Sequence, residues 1–172
     1  MLDLRDYELV FCDGSDNEAH YPADVNRLRA DIKASDGLIL GSPEYHGCFS
    51  GVLKNALDLM RFDEMQGKMI GLLAVSGGPL GSLIGLSSLR EVGRSLRAWV
   101  IPEQVVVPEA WKVFREDGTL TSPQMEERLV DLGRQVARFA HLHQSGRATD
   151  FQRIWEQAVQ NPGADAAGKD TG

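Results

Sequence analysis

The chain has 172 residues, 42% of them hydrophobic, and a formal net charge of −7, which suits one domain with one sizeable core. Lys and Arg are interspersed with acids and form no basic run, which argues against nucleic acid as a partner. No apolar run approaches the roughly 20 residues needed to span a bilayer. Met1-Leu-Asp-Leu-Arg-Asp6 lacks the basic-then-apolar order of a signal peptide. Cys12 and Cys48 make neither a metal spacing nor a disulfide framework. The expectation is a soluble cytoplasmic protein without a membrane partner.

In chain order, Glu8-Leu-Val-Phe-Cys12 has strand propensity and an acidic loop, 13–20, follows it. Pro22 suits the first turn of a helix, whose apolar stripe is Val25, Leu28 and Ile32, with Arg27, Arg29, Asp31 and Lys33 mostly off it. Gly37 to Ser42 reads as a buried strand. Ser50 is placed to cap a helix that carries Val52, Leu53, Ala56, Leu57 and Met60. Lys68 to Val75 is almost continuously apolar, the mark of a parallel strand covered on both faces.

The second half repeats the alternation. A helix follows Ser82 with Leu83, Leu86, Leu89 and Leu96 inward, and Trp99 to Val107 is strand-like with Pro102 interrupting it. Ser122 and Pro123 start a long helix with Met125, Leu129, Leu132, Val136, Phe139 and Ala140 spaced three or four apart. A short helix is expected over Phe151 to Val159. The composition of residues 161–172 has little to bury and reads as a disordered tail. Strand–helix alternation predicts an α/β fold, a doubly wound parallel sheet in one domain over 1–160.

Two loops leave the ends of consecutive strands: Pro43-Glu44-Tyr45-His46-Gly47, whose backbone is expected to be irregular, and Ser76-Gly77-Gly78 with Gly81. Both precede helices. Glycine lets backbone N–H groups approach a ligand, and a helix start favours partial negative charge. A flat heterocycle with carbonyl and ring-nitrogen acceptors would suit such a surface, and in open α/β sheets ligands bind at the carboxyl ends of strands.

The first loop runs into Leu53-Lys54-Asn55-Ala56-Leu57-Asp58. Together they resemble the NADPH-dependent FMN reductase family, whose hallmark is a Pro-Glu-Tyr-Asn-Gly loop followed by Leu-Lys-Asn-Ala-Leu-Asp. Leu96 to Val105 and Phe114 to Thr121 add to the resemblance, which covers roughly 1–145. It implies a flavodoxin-like fold and FMN as cofactor. The backbone of Glu44 to Gly47 would line one edge of the isoalloxazine ring, and the Ser76 to Gly81 loop its pyrimidine side. It also implies NAD(P)H as electron donor, ping-pong hydride transfer to flavins, quinones or similar small acceptors, and a homodimer or homotetramer with the Lys54–Asp58 helix at the interface. No general acid or base is assigned. The rival readings are a flavodoxin-like electron carrier and a non-catalytic remnant.

Two departures stand out. His46 replaces the family's usual Asn; it would be tolerated if the position works through its N–H, and could still donate if the side chain takes part. The family's first strand and its phosphate-holding Ser/Arg loop have no counterpart, so the chain reads as N-terminally truncated, the alternative being a genuine short form that binds flavin weakly or not at all. Met1 to Asp6 resembles the end of the second strand, which makes Glu8 to Cys12 connecting loop. In the 2-1-3-4-5 order the strand at Gly37 is then left with an unpaired edge. Cys48 is a redox thiol or a filler, and Tyr45 stacks near the flavin or packs. Lys54 and Asp58 also fit an ordinary i, i+4 pair. His141 and His143 diverge and make a poor metal site. Trp99, Trp111 and Trp155 pack or lie at oligomer contacts.

Overall fold

The computed structural model describes residues 1–15, 20–79 and 82–145. Three parallel strands, β1 (Gly37–Tyr45), β3 (Met69–Val75) and β4 (Trp99–Val107), carry the fold. A two-residue strand, β2 (Cys48–Phe49), folds back antiparallel on β1, so the order is β2-β1-β3-β4. The helix expected at 151–159 and the tail at 161–172 lie outside the described residues.

Helices cover both faces. On one side α1 (Ala23–Lys33), α2 (Gly51–Asp58) and α4 (Leu83–Ser95) enclose Leu40, Ile70, Leu72 and Ala74. On the other, α6 (Pro123–Gln144) lays Leu132, Val136 and Ala140 over Met69, Ile101, Val105 and Val107. α6 comes so close because glycines face it: a Cβ on Gly71 would stand 2.7 Å from Val136 Cγ2, and one on Gly37 would stand 2.8 Å from Val136 Cγ1. The short helices α3 (Phe62–Met65) and α5 (Ala110–Val113) complete the connections.

The helix starts follow their capping chemistry. Ser50 Oγ accepts from Leu53 N at 3.2 Å and Ser122 Oγ from Met125 N at 3.3 Å, each satisfying an N–H with no partner inside its helix. One inward assignment fails at a helix start: Leu83 is exposed, because the first turn of α4 projects beyond the sheet it covers and buries a narrower stripe than its apolar spacing suggests. Arg29 errs the other way. It is buried and its Nε donates to Leu59 O at 2.8 Å, the guanidinium lying 5.2 Å from the Tyr21 ring centre.

β4 shows why Pro102 does not end it. Ile70 pairs with Val100 but Leu72 with Gln104, so two extra residues bulge around the proline, which has no N–H for the ladder. Arg90 fills the gap, donating to Val100 O, Ile101 O and Pro102 O at 3.3, 2.7 and 3.2 Å.

Met1 to Asp6 is no strand; it ends in a 3-10 turn, Leu4–Asp6. Residues 7–15 form no regular element, as the connecting-loop reading required, and the segment is tied to the helices instead. Tyr7 Oη donates to Asp31 at 2.9 Å and Glu8 N to Asp24 at 2.8 Å. The edge of β1 away from β3 is therefore paired only with β2, at Glu44 and Tyr45, and its Gly37–Ser42 stretch has no strand beside it among the described residues, so that stretch is not fully buried: Ile39 is 45% exposed. A cleft of about 860 Å³ follows that edge, walled by Leu28, Ile32 and Leu57 on one side and Val136, Ala137 and Ala140 on the other.

Candidate functional site

The first loop is more regular than its sequence suggests. Glu44 pairs with Phe49 and Tyr45 with Cys48, so Pro43-Glu-Tyr-His-Gly47 is the leading arm and turn of a β-hairpin. His46 has φ +54° and Gly47 φ +80°. Two central residues at positive φ make the turn whose twist matches the strands it joins, with Asn-Gly favoured in it. Histidine, like asparagine, tolerates the left-handed region better than most residues. Substitution of His for the family's Asn thus preserves the turn, and backbone geometry accounts for the position.

At its base the hairpin is held by a side chain. Ser42 is buried; its Oγ accepts from Ser50 N at 2.8 Å and donates to Pro43 O at 2.8 Å. From below, α4 supports the returning arm, for a Cβ on Gly85 would lie 3.2 Å from Cys48 C and Phe49 N. Tyr45 points outward, 62% exposed, and Cys48 is a partly buried free thiol.

The second loop lies beside the first because Pro43 and Val75 are register partners on adjacent strands. Ser76 N donates to Val107 O at 2.9 Å and its Oγ to Gly78 O at 3.0 Å, closing a tight turn. Glu109 N also donates to Gly78 O, at 3.1 Å, and Ala110 N to Ser76 O at 3.0 Å. Glu109 reaches this position at φ +45°, an uncommon backbone state for a residue with a side chain. The loop after β4 is therefore part of the same constellation, a contribution that sequence reading missed. Gly77 and Gly78 are open, with no atom within 4 Å of where a Cβ would stand. Gly81 lies outside the described residues.

The N–H groups of His46, Gly47, Gly77 and Gly78 donate to no described protein atom. These four residues lie at or near the surface at neighbouring strand ends, where a planar acceptor-rich edge can reach their N–H groups. That fits the ring end of a flavin, whose periphery carries carbonyl oxygens and ring nitrogens. No group of three or more His, Cys, Asp or Glu side chains suits a metal among the described residues. His143 instead meets Trp99 edge-on at 6.1 Å. Lys54 Nζ pairs with Asp58 at 2.6 Å, the i, i+4 pair. Trp99 is half exposed and Trp111 69% exposed, the latter with Lys112 Nζ 4.7 Å from its ring centre.

Sequence reading also overlooked Ser42 and Asn55 as supports. The signal for Ser42 was its place just before Pro43, where a backbone N–H is missing. Asn55 was quoted only as a motif letter, and its partners, Val10 and Cys12, lie more than 40 residues away in sequence.

The chain is also similar to proteins of known family. The chain is 38% identical over 107 residues to an NADPH azoreductase of Bacillus sp. (strain OY1-2), covering 62% of this chain and 60% of that protein. It is 30% identical over 145 residues to an NAD(P)H-dependent FAD/FMN reductase of Geobacillus thermodenitrificans, covering 84% and 75%. An FMN-dependent NADPH-azoreductase of Staphylococcus haemolyticus is 40% identical over 96 residues, which is 56% of this chain and 50% of that one. The chain thus spans half to three fifths of two of these relatives. Among solved structures, the flavoenzyme FerB of Paracoccus denitrificans superposes with a TM-score of 0.61 at 24% identity, over 81% of this chain and 76% of that chain; the likeness shows a shared flavodoxin-like fold. The sequence profile of NADPH-dependent FMN reductases matches residues 1–112. By that match and by the relatives' identity, the chain belongs to the NADPH-dependent FMN reductase family.

Proposed function

We propose that the His46–Gly47 hairpin turn and the Ser76–Gly78 turn hold the ring edge of FMN, in an NAD(P)H-dependent oxidoreductase that reduces flavins, quinones or similar small acceptors, azo compounds among them. The observation that carries this reading is the set of four N–H donors, without an acceptor among the described residues, at adjacent strand ends. When bound, FMN supplies the hydride-accepting and hydride-donating chemistry. The chain's own residues bind and orient: Ser76 fixes one turn, the hairpin fixes the other, and Pro43 and Glu44 set the approach between them. No side chain here is asked to transfer a proton.

The assembly we favour is a homodimer or homotetramer. Tyr45, Val52, Leu83 and Ile84 are all 60% exposed or more, and they sit on the hairpin, on the start of α2 or on the start of α4. Apolar exposure beside a candidate site is characteristic of a subunit contact. A reducing compartment, the cytoplasm, suits the free thiols of Cys12 and Cys48.

Titration of the purified protein with FMN tests the reading. Saturable quenching of flavin fluorescence, then bleaching of the visible band by NADPH and turnover on a quinone, is the expected result. Unchanged fluorescence at saturating protein would refute it.

A further inference from the structure

The base of the hairpin departs from a normal antiparallel ladder. Tyr45 and Cys48 flank the two-residue turn and form the first rung, and Glu44 opposite Phe49 is the second. The alternation of antiparallel pairs makes Pro43 and Ser50 the next residues to exchange both backbone bonds. They cannot do so, because proline has no N–H. Ser50 N reaches Ser42 Oγ at 2.8 Å instead, and the same hydroxyl donates onward to Pro43 O at 2.8 Å. A hydroxyl both accepts and donates, so it can be inserted where a direct N–H to carbonyl bond would otherwise close.

The insertion opens the rung by the width of one oxygen. Ser50 is thereby released from the ladder to start α2: its Oγ accepts from Leu53 N and its carbonyl from Lys54 N at 3.0 Å. Ser42 and Ser50 are both buried, so water does not readily replace the bridge. Beyond this rung the hairpin is only two residue pairs long. A change of angle at its base is carried to His46 and Gly47 at its tip.

We propose that Ser42 is a positioning residue: its hydroxyl, bridging Ser50 N and Pro43 O, sets the opening of the hairpin and so places the His46 and Gly47 N–H groups against the flavin ring. The role rests on the flavin reading above and does not include contact with the ring.

The experiment compares the wild type with Ser42→Ala, Ser42→Thr and Val136→Ala, the last a core change on α6 away from the hairpin. FMN dissociation constants come from fluorescence quenching, Ser50 amide exchange from NMR, and melting temperature from circular dichroism. Ser42→Ala is expected to speed Ser50 exchange and to weaken FMN roughly tenfold, the size of one net hydrogen bond. Ser42→Thr keeps the hydroxyl and restores both, while Val136→Ala lowers the melting temperature and leaves FMN affinity at the wild-type value. Equal FMN affinity in wild type and Ser42→Ala overturns the positioning role, as does an equal loss in Val136→Ala. Failure of the wild type itself to quench FMN overturns the flavin reading, and with it any role of Ser42 toward the ring.

Discussion

Asn55 Oδ1 accepts from Cys12 N at 2.9 Å while Asn55 Nδ2 donates to Val10 O, also at 2.9 Å. One side chain on α2 thereby satisfies both backbone groups of a segment with no strand to pair with, and Cys12 Sγ adds a bond to Asp58 O at 3.3 Å. The asparagine within Leu53 to Asp58 is a clamp on the N-terminal segment. Replacing Asn55 with Leu should lower stability by roughly 1–2 kcal/mol in urea denaturation and accelerate amide exchange at Cys12.

At position 46 the requirement is conformational. Because φ is +54° there, His46→Asn and His46→Gly should leave melting temperature and FMN quenching near wild type. A β-branched residue pays a steric cost in that region, about 1–2 kcal/mol, and His46→Val should lower both. Loss of FMN binding in His46→Gly would show that the imidazole itself contacts the ligand.

Gly77 separates the fold from the site. It has ordinary φ and open space around it, so Gly77→Ala should not change the melting temperature. The added methyl stands where a ring edge would approach, and FMN affinity should fall by about tenfold, near 1.4 kcal/mol. Unaltered affinity would remove the second turn from the proposed site.

Gly71 has the opposite sensitivity. Its Cβ would meet Val136 Cγ2 at 2.7 Å and Leu132 Cδ1 at 3.1 Å, so Gly71→Ala forces α6 away from the sheet at a cost of about 1–3 kcal/mol. Gly71→Ala combined with Val136→Ala should recover much of the loss, a coupling that a double-mutant cycle reads directly.

Near the N-terminus, the Arg5 side chain bonded to Asp3 holds its carboxyl down to about 2, from 3.8. A carboxylate lowered by folding contributes stability that is fully present above its unfolded value. The contribution fades as pH falls from about 4 toward 2. NMR titration should show Asp3 protonating near 2 in the wild type and higher in Arg5→Ala, still below its ordinary value because the backbone N–H of residue 5 continues to donate to the carboxylate.

The parallel strands, the capped helices at Ser50 and Ser122 and the two glycine-rich loops were legible in the chain. Each depends on neighbours within a few residues: apolar runs, a hydroxyl one step before a helix, and Gly or Pro at a break. The resemblance of Pro43 to Asp58 named the family on the same local basis. The hairpin form of 43–49 was not legible, because a turn of positive φ and its register depend on which strands pair. Nor was the strandless course of Met1 to Asp6, where a local resemblance had no partner to pair with. The burial of Arg29, the bridge through Ser42, the grip of Asn55 on Val10 and Cys12, and the entry of Glu109 into the site join residues distant in sequence or rungs of one ladder. Packing of the sheet between its two helical layers brings them together, and no spacing along the chain encodes their distance.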